Sequence, residues 1–369
     1  MQDKRKYFVG FSLVKGIGAA RLRNLLDFFG DIGIAWQAPP EALQAAGLST
    51  RLVENLLRVR NEVSLEQVWE QLHAKGIQVL TWEDADYPTR LSEIDLCPPV
   101  IYVCGEIRPA DEWAVAIVGT RRVTAYGRQV TESVVQKLVN AGITVVSGLA
   151  RGVDAVAHRT ALQAGGRTLA VLGSGVDRIY PPEHRQLAEQ ISAQGALISD
   201  YAPGTPPEAV NFPPRNRIIS GLSLATVVIE AGSKSGALIT ANFAAEQGRE
   251  VFALPGSVLS PQSKGTNRLI QDGARPLLDP QEILEVLDLA RVAAYQEARI
   301  VLPADAIETC LLQVLALEPL HVDEIQAQAN LPIEQVTATL TLMELKGMVR
   351  QLGGMRYQAI READASYHV

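Results

Sequence analysis

A doubly wound α/β sheet, preceded by a helical segment and followed by a tail of three helices and a hairpin, is the architecture predicted by this 369-residue sequence. Three observations predict it. Between residues 77 and 280, short β-branched apolar runs recur, each closed by glycine or small polar residues and most followed by a stretch of helix length. Such near-continuous runs suit parallel strands covered on both faces. Before them lies a segment of helical periodicity with paired glycines, and after residue 303 the pattern changes to three amphipathic stretches and a hairpin with a glycine turn. A chain of this length divides into two or three domains, placed here at 1–75, 76–290 and 304–360. With 47% hydrophobic and 20% charged residues there is ample apolar material to bury, which excludes a disordered chain, collagen and a coiled-coil rod.

The first domain, 1–75, reads as a small helix-hairpin-helix or SAM-like bundle. Its mark is Leu13 to Leu22, LVKGIGAARL, where two glycines permit a tight turn and the following helix presents free backbone N–H groups that can meet a phosphate. A weaker echo is Leu43 to Leu48, followed by the apolar stripe Leu52, Val53, Leu56 and Leu57. The glycines serve either as turns of a plain bundle or as DNA contacts, and Lys15, Arg21 and Arg23 tip the reading toward DNA. The apolar stretch Tyr7 to Val14 after Lys4 to Lys6 resembles the start of a signal peptide, but Lys15 interrupts it. No run approaches the ~20 apolar residues of a membrane span, so no membrane partner is expected.

In the second domain the strands are Val115 to Val118, Ile143 to Val146, Thr168 to Leu172, Ala196 to Ser199, Thr226 to Ile229 and Glu250 to Leu254. The helix after the first shows the logic. Val130, Val134 and Leu138 share a face, Thr124 caps its start and Gly142 ends it. Alternation of strand and helix makes this a Rossmann-like, doubly wound parallel sheet. A helix-like stretch from Pro280 to Leu289 then leads into a partly polar linker.

The third domain has a winged-helix order: helices at Cys310 to Leu317, Val322 to Ala329 and Ile333 to Lys346, then a hairpin turning at Gly353 and Gly354. A recognition helix needs basic or amide side chains toward DNA. Residues 304–358 instead hold seven acids against Lys346, Arg350 and Arg356, which favours a protein contact or a structural cap.

The whole chain carries 34 basic and 41 acidic residues, a formal charge of −7, so bulk charge does not attract nucleic acid and any anion site must be local. Such a stretch exists: from Val115 to Arg217 there are eleven basic and seven acidic residues. Ligands of open α/β sheets bind beyond the carboxyl ends of the strands. There, Gly119, Thr120, Arg121 and Arg122 follow the first strand, Ser147, Gly148 and Arg151 the second, and Gly173, Ser174 and Gly175 the third. Small residues let backbone N–H groups approach an anion while arginines clamp its oxygens. Arg215, Asn216 and Arg217 add donors in a proline-stiffened block, and Phe212 and Tyr180 serve either as core or as stacking faces for unpaired bases. Arg159 and Arg167 read as surface or packing residues.

Cofactor and metal signals are weak. Arg178 stands where a G-x-G-x-x-G fingerprint needs glycine, and Ser233 where a P-loop needs glycine before Lys234 and Ser235. Cys97, Cys104 and Cys310 have neither zinc spacing nor the density of a secreted scaffold, so no metal and no cofactor is expected, and a reducing cytoplasm fits. Asp154 and His158, at i and i+4, form either a base with its orienting carboxylate or a first-turn acid and a pairing histidine. Glu230 is either a catalytic acid or a partner of the arginine loops.

Six stretches together resemble the DNA-processing protein A family, DprA or Smf: AIVGTRR from Ala116, VSGLARGVDAVAH from Val146, LGSGVDRIYPPEH from Leu172, FPPRNRIISGLS from Phe212, EAGSKSGALIT from Glu230 and VFALPG from Val251. The resemblance implies a non-enzymatic, bacterial, cytoplasmic single-stranded DNA-binding protein that dimerises and loads RecA recombinase during natural transformation, with the family's G-[ST]-R motif at Gly119, Thr120 and Arg121. With the residues above it places Lys234 and Ser235 among the DNA contacts. The alternative is a nucleotide hydrolase or phosphoribohydrolase using Glu230, although the P-G-G-x-G-T-x-x-E signature of those enzymes is absent.

Overall fold

The computed structural model describes residues 3–287, 306–315, 319–329, 331–345, 349–353 and 355–359. The chain forms two compact units, Met1–Ala290 and Arg291–Val369. The linker expected over 290–303 lies outside the described residues, as do Lys346 and Gly354.

The first unit is built on one sheet of β1 (Ile77–Thr81), β2 (Val100–Gly105), β3 (Ala114–Val118), β4 (Thr144–Ser147), β5 (Thr168–Val171), β6 (Ala196–Ser199), β7 (Ala225–Val228), β8 (Glu250–Ala253) and β9 (Arg275–Pro276). Its order is β1-β2-β6-β5-β4-β3-β7-β8-β9. The six strands read from the sequence are β3 to β8, and they form the continuous parallel block in the middle. The sheet is nevertheless mixed, because β2 runs antiparallel to β6 and β1 antiparallel to β2. These two strands escape a strand-then-helix search. They are joined by residues 82–99, which hold only the short helix Thr89–Ser92 and lack a hairpin turn signal. The edge strand β9 contains Pro276, which has no N–H to give a further neighbour.

Successive side chains of the buried strands pack alternately into two cores, as a sheet covered on both faces requires. Val100 and Tyr102 of β2, Ala170 of β5 and Leu197 of β6 pack into one core, while Ile101, Val103, Leu169, Val171, Ala196 and Ile198 pack into the other. The first core also takes in the amino-terminal helices through Phe8, Phe11, Leu25, Leu43 and Leu56. Both glycine turns of that segment are present: Arg5–Ser12 meets Ala19–Phe29 through a turn with Gly16 at φ +99°, and Pro40–Ala45 meets Thr50–Glu62 through Gly47 at φ +93°. Lys15, Arg21 and Arg23 are exposed there, with the Arg21 guanidinium donating to Gly16 O and that of Arg23 lying 5.3 Å from the Trp82 ring centroid.

In the helix Ala125–Asn140, the Thr124 hydroxyl accepts from Gly127 N–H and Gly142 follows the end at φ +75°. Arg167 packs as expected, its guanidinium donating to the buried carboxylate of Asp111 at 2.7 Å.

The second unit contains the helices Ala306–Val314, Val322–Ala329 and Ile333–Leu345 and a sheet of β10 (Leu320–His321), β11 (Val349–Gly353) and β12 (Arg356–Ala359) in the order β10-β12-β11. Leu311, Ile325, Val336, Leu340, Met343 and Tyr357 form its core. The winged-helix order holds, with β10 added to the hairpin.

Candidate nucleic-acid interface

The chain leaves β3 for β4, β5 and β6 on one side of it, then returns to build β7 and β8 on the other. The carboxyl end of β3 is therefore the switch point where adjacent loops diverge and leave a crevice. Gly119, Thr120 and Arg121 stand there. Two interactions hold this turn in place: Thr120 N–H donates to Glu230 O at 2.7 Å, and Val153 N–H to Thr120 O at 3.2 Å. An added Cβ at Gly119 would lie 2.6 Å from Val153, so the close approach requires glycine.

A groove of about 930 Å³ opens over this turn. Gly119, Thr120, Arg121, Phe212, Arg215, Asn216, Lys234 and Ser235 border it, with Tyr180, Ala150 and Asp154. A smaller recess beside it is bordered by Gly148, Arg151, Arg121, Tyr180 and Phe212. Residues separated by more than a hundred positions thus converge on one strip.

The remaining expected residues lie elsewhere. Ser147 is fully buried and its hydroxyl donates to Ile117 O at 2.6 Å, so it joins β4 to β3 beneath the groove. Gly173, Ser174 and Gly175 are buried; an added Cβ at Gly173 would lie 2.8 Å from the Phe212 ring, and one at Gly175 2.8 Å from Ala202 O. The Ser174 hydroxyl donates to Arg178 O. Arg217 points away, ion-paired with Asp200 at 2.6 Å and donating to Leu96 O. Arg122 is exposed outside the lining of both cavities.

Two partnerships open in the sequence, Asp154 with His158 and Glu230 with the arginine loops, are replaced by others. Asp154 does not meet His158; its carboxylate accepts Gly148 and Ala150 N–H at 3.1 and 3.2 Å. Burial raises the Asp154 pKa, opposed by the charge of Arg215 and by those N–H groups. His158 Nδ1 lies 2.7 Å from Thr168 Oγ1, whose own proton goes to Val145 O, so Nδ1 carries the hydrogen. Glu230 makes no ion pair with the arginine loops among the described residues. Its two oxygens accept from Thr124 N–H and the Thr124 hydroxyl at 2.9 and 2.6 Å, fastening the start of the helix Ala125–Asn140.

The cations of the strip differ in availability. Arg121 is exposed and makes no hydrogen bond or ion pair among the described residues, its guanidinium carbon lying 5.9 Å from the Phe212 ring centroid. Arg215 is only 5% exposed. It donates to Gly148 O at 2.8 Å and to Val171 O, and burial pushes its pKa down to about 10. It therefore fastens loops. Arg151 faces Glu183 at 2.5 Å on the surface. Lys264, absent from the sequence-based set, borders the groove from the start of the helix Lys264–Gln271. Lys264 opens the helix that follows β8, so its place after a strand of the parallel block is the signal that marks it.

A family model described as DNA recombination-mediator protein A matches residues 78–288, and one described as the DprA winged helix domain matches residues 296–355. The first covers more than half of the chain. The chain belongs to the DNA recombination-mediator protein A family. It is 39% identical to protein Smf of Synechocystis over 96% of this chain and 99% of that protein. The crystal structure of DNA processing protein A from Streptococcus pneumoniae superposes with a TM-score of 0.67 at 32% identity, covering 76% of this chain and 97% of that one. A Helicobacter pylori DNA processing protein A structure, described for its single-stranded DNA binding mode, superposes with a TM-score of 0.52 at 30% identity over 57% of this chain and 95% of that one. Every residue bordering the groove falls inside the segment matched by the DNA recombination-mediator protein A model.

Proposed function

We propose that this chain binds single-stranded DNA along the groove at the β3 switch point and hands the strand to RecA recombinase, as a dimeric, cytoplasmic, non-enzymatic mediator of natural transformation. The observation that carries the reading is Arg121, exposed and without a hydrogen-bond or ion-pair partner among the described residues, beside the Phe212 and Tyr180 rings, whose centroids lie 5.6 Å apart. Guanidinium next to aromatic faces matches what an unpaired strand offers, phosphate and bare base, whereas a duplex hides its bases. The Helicobacter pylori relative, described as a single-strand binder, supports the same reading. The acidic chain as a whole disfavours coating of duplex.

The rival hydrolase reading needs a free acid at Glu230, but both oxygens of that carboxylate are engaged by Thr124 and the residue is 4% exposed. A grip on phosphate without chemistry requires a recipient for the strand, and two grooves in a dimer would raise effective concentration on it. The deciding experiment measures binding of single-stranded and duplex oligonucleotides across a salt series. It is paired with RecA filament formation on strands covered by single-strand binding protein. Preferential single-strand binding with a steep salt slope and a shortened filament lag is expected. Equal duplex affinity would refute the strand preference; unchanged filament kinetics with binding intact would remove the loading role; nucleotide hydrolysis abolished by Glu230→Gln would favour the enzyme.

A further inference from the structure

Three consecutive residues of the loop after β4 are held by buried side chains from outside the loop. Asp154 accepts the N–H groups of Gly148 and Ala150, and Arg215 donates to Gly148 O. His184 Nδ1 lies 2.8 Å from Leu149 O, and because a carbonyl can only accept, Nδ1 carries the proton. Asp154, His184 and Arg215 are 6%, 4% and 5% exposed, so water does not compete for these bonds.

The residue at the centre is the unusual one. Leu149 has φ +58°, in the left-handed region that a side chain with a Cβ disfavours, and its own side chain is fully buried in the core. Such a conformation persists only where its surroundings over-determine it. Rotation about φ of Leu149 redirects everything after it, beginning with Ala150, which borders the groove, and Arg151, which borders the recess.

We propose that His184 is a positioning residue for strand binding: by donating from Nδ1 to Leu149 O it holds Leu149 left-handed and so keeps Ala150 at the groove and Arg151 at the recess beside it. The inference rests on the single-strand reading above. His184 touches no strand; it acts through the loop, with Asp154 and Arg215 fixing the peptides on either side.

The test compares His184→Leu, which removes the donor, with His184→Asn, whose side-chain amide can place an N–H where Nδ1 stood. Three readouts separate positioning from general damage: amide hydrogen exchange over residues 148–151 in the free protein, oligothymidylate affinity with its salt slope, and Tm. For His184→Leu, exchange in the loop is expected to rise about ten-fold or more. Affinity should fall about five- to twenty-fold with a salt slope shallower by about 0.7, the value of one phosphate contact. His184→Asn should stay within about two-fold of the unaltered protein on each measure. Retained affinity and slope in His184→Leu, or His184→Asn behaving no better than His184→Leu, would overturn the proposal. Should His184→Leu fail to fold, His184→Met, which likewise has no N–H to donate, takes its place, and unaltered exchange and affinity there would equally overturn the proposal. Absence of binding by the unaltered protein would sink the single-strand reading first, and this proposal with it.

Discussion

Arg121 and Arg215 both place their guanidinium carbons 5.9 Å from the Phe212 ring centroid, yet they do different work. Arg215 is buried and committed to backbone carbonyls, while Arg121 is exposed with its donors free among the described residues. Arg121→Ala is accordingly expected to cost roughly 1.5 to 3 kcal/mol of strand binding, the range for a charge-assisted hydrogen bond. Arg159→Ala, on the exposed face of the helix Val153–Gln163, should leave affinity unchanged. Titration of a labelled oligonucleotide checks the pair, and equal losses would contradict the site. Arg151 gives the opposite sign. Glu183 holds it at the mouth of the recess, so Glu183→Gln should release a cation and remove a repelled anion. Affinity is expected to rise about two- to five-fold at low salt, the scale of one exposed ion pair, with the gain vanishing as salt screens it.

At the scale of elements, the strip is made of loops at strand ends, each anchored from below. Ser147 fastens β4 to β3, Glu230 fastens the helix after β3, and Gly173 makes room for the Phe212 ring. From sequence these residues were indistinguishable from ligand contacts, because a small or polar residue after a strand serves equally as contact or as fastening. The positions of the loops were legible because strand, glycine and helix cap follow one another in the chain. Which side chains turn outward was not, since partners such as Asp200 for Arg217 are set by packing of distant segments. The winged unit belongs to this scale too. Its helix Ile333–Leu345 exposes Glu334, Gln335 and Glu344 and carries no basic residue. Deleting residues beyond about 300 is expected to leave single-strand affinity within about three-fold and the salt slope unchanged, since no phosphate contact is removed. Fluorescence anisotropy of the shortened chain tests this, and a collapse of affinity and slope would give the winged unit a direct role.

For the whole molecule, the core beneath the strip sets an acid limit. His158 is fully buried with no partner for Nε2 among the described residues, and burial, followed by the charges of His184 and Arg215, pushes its pKa down to about 3 from 6.5. The unfolded chain therefore binds a proton here at a pH where the folded chain does not. Stability is fully present above about 6.5 and falls as pH drops toward 3. The single group contributes a slope of up to about 1.4 kcal/mol per pH unit inside that window. Asparagine at 158 can keep the bond to Thr168 Oγ1 through its amide and lacks the titration. Urea unfolding between pH 4 and 6.5 should show a slope shallower for His158→Asn by about that amount. Parallel slopes would mean that His158 is not the group responsible.

The sequence by itself determined the six parallel strands, the helix caps at Thr124 and Gly142, the paired glycine turns before the sheet and the winged tail after it. Each of these is written in residues close together, as periodicity, capping chemistry or turn propensity. It determined the neighbourhood of the strip as well, because the ends of parallel strands gather at one edge whatever the side chains do. Only the tertiary structure decided that β1 and β2 add an antiparallel edge, that Arg215 and Arg217 face inward and away, that Lys264 joins the groove, and that His184 reaches Leu149. The reason is physical. A buried donor or acceptor must find a partner wherever the fold brings one, and those partners lie from 17 to more than a hundred residues away, where no local pattern records them.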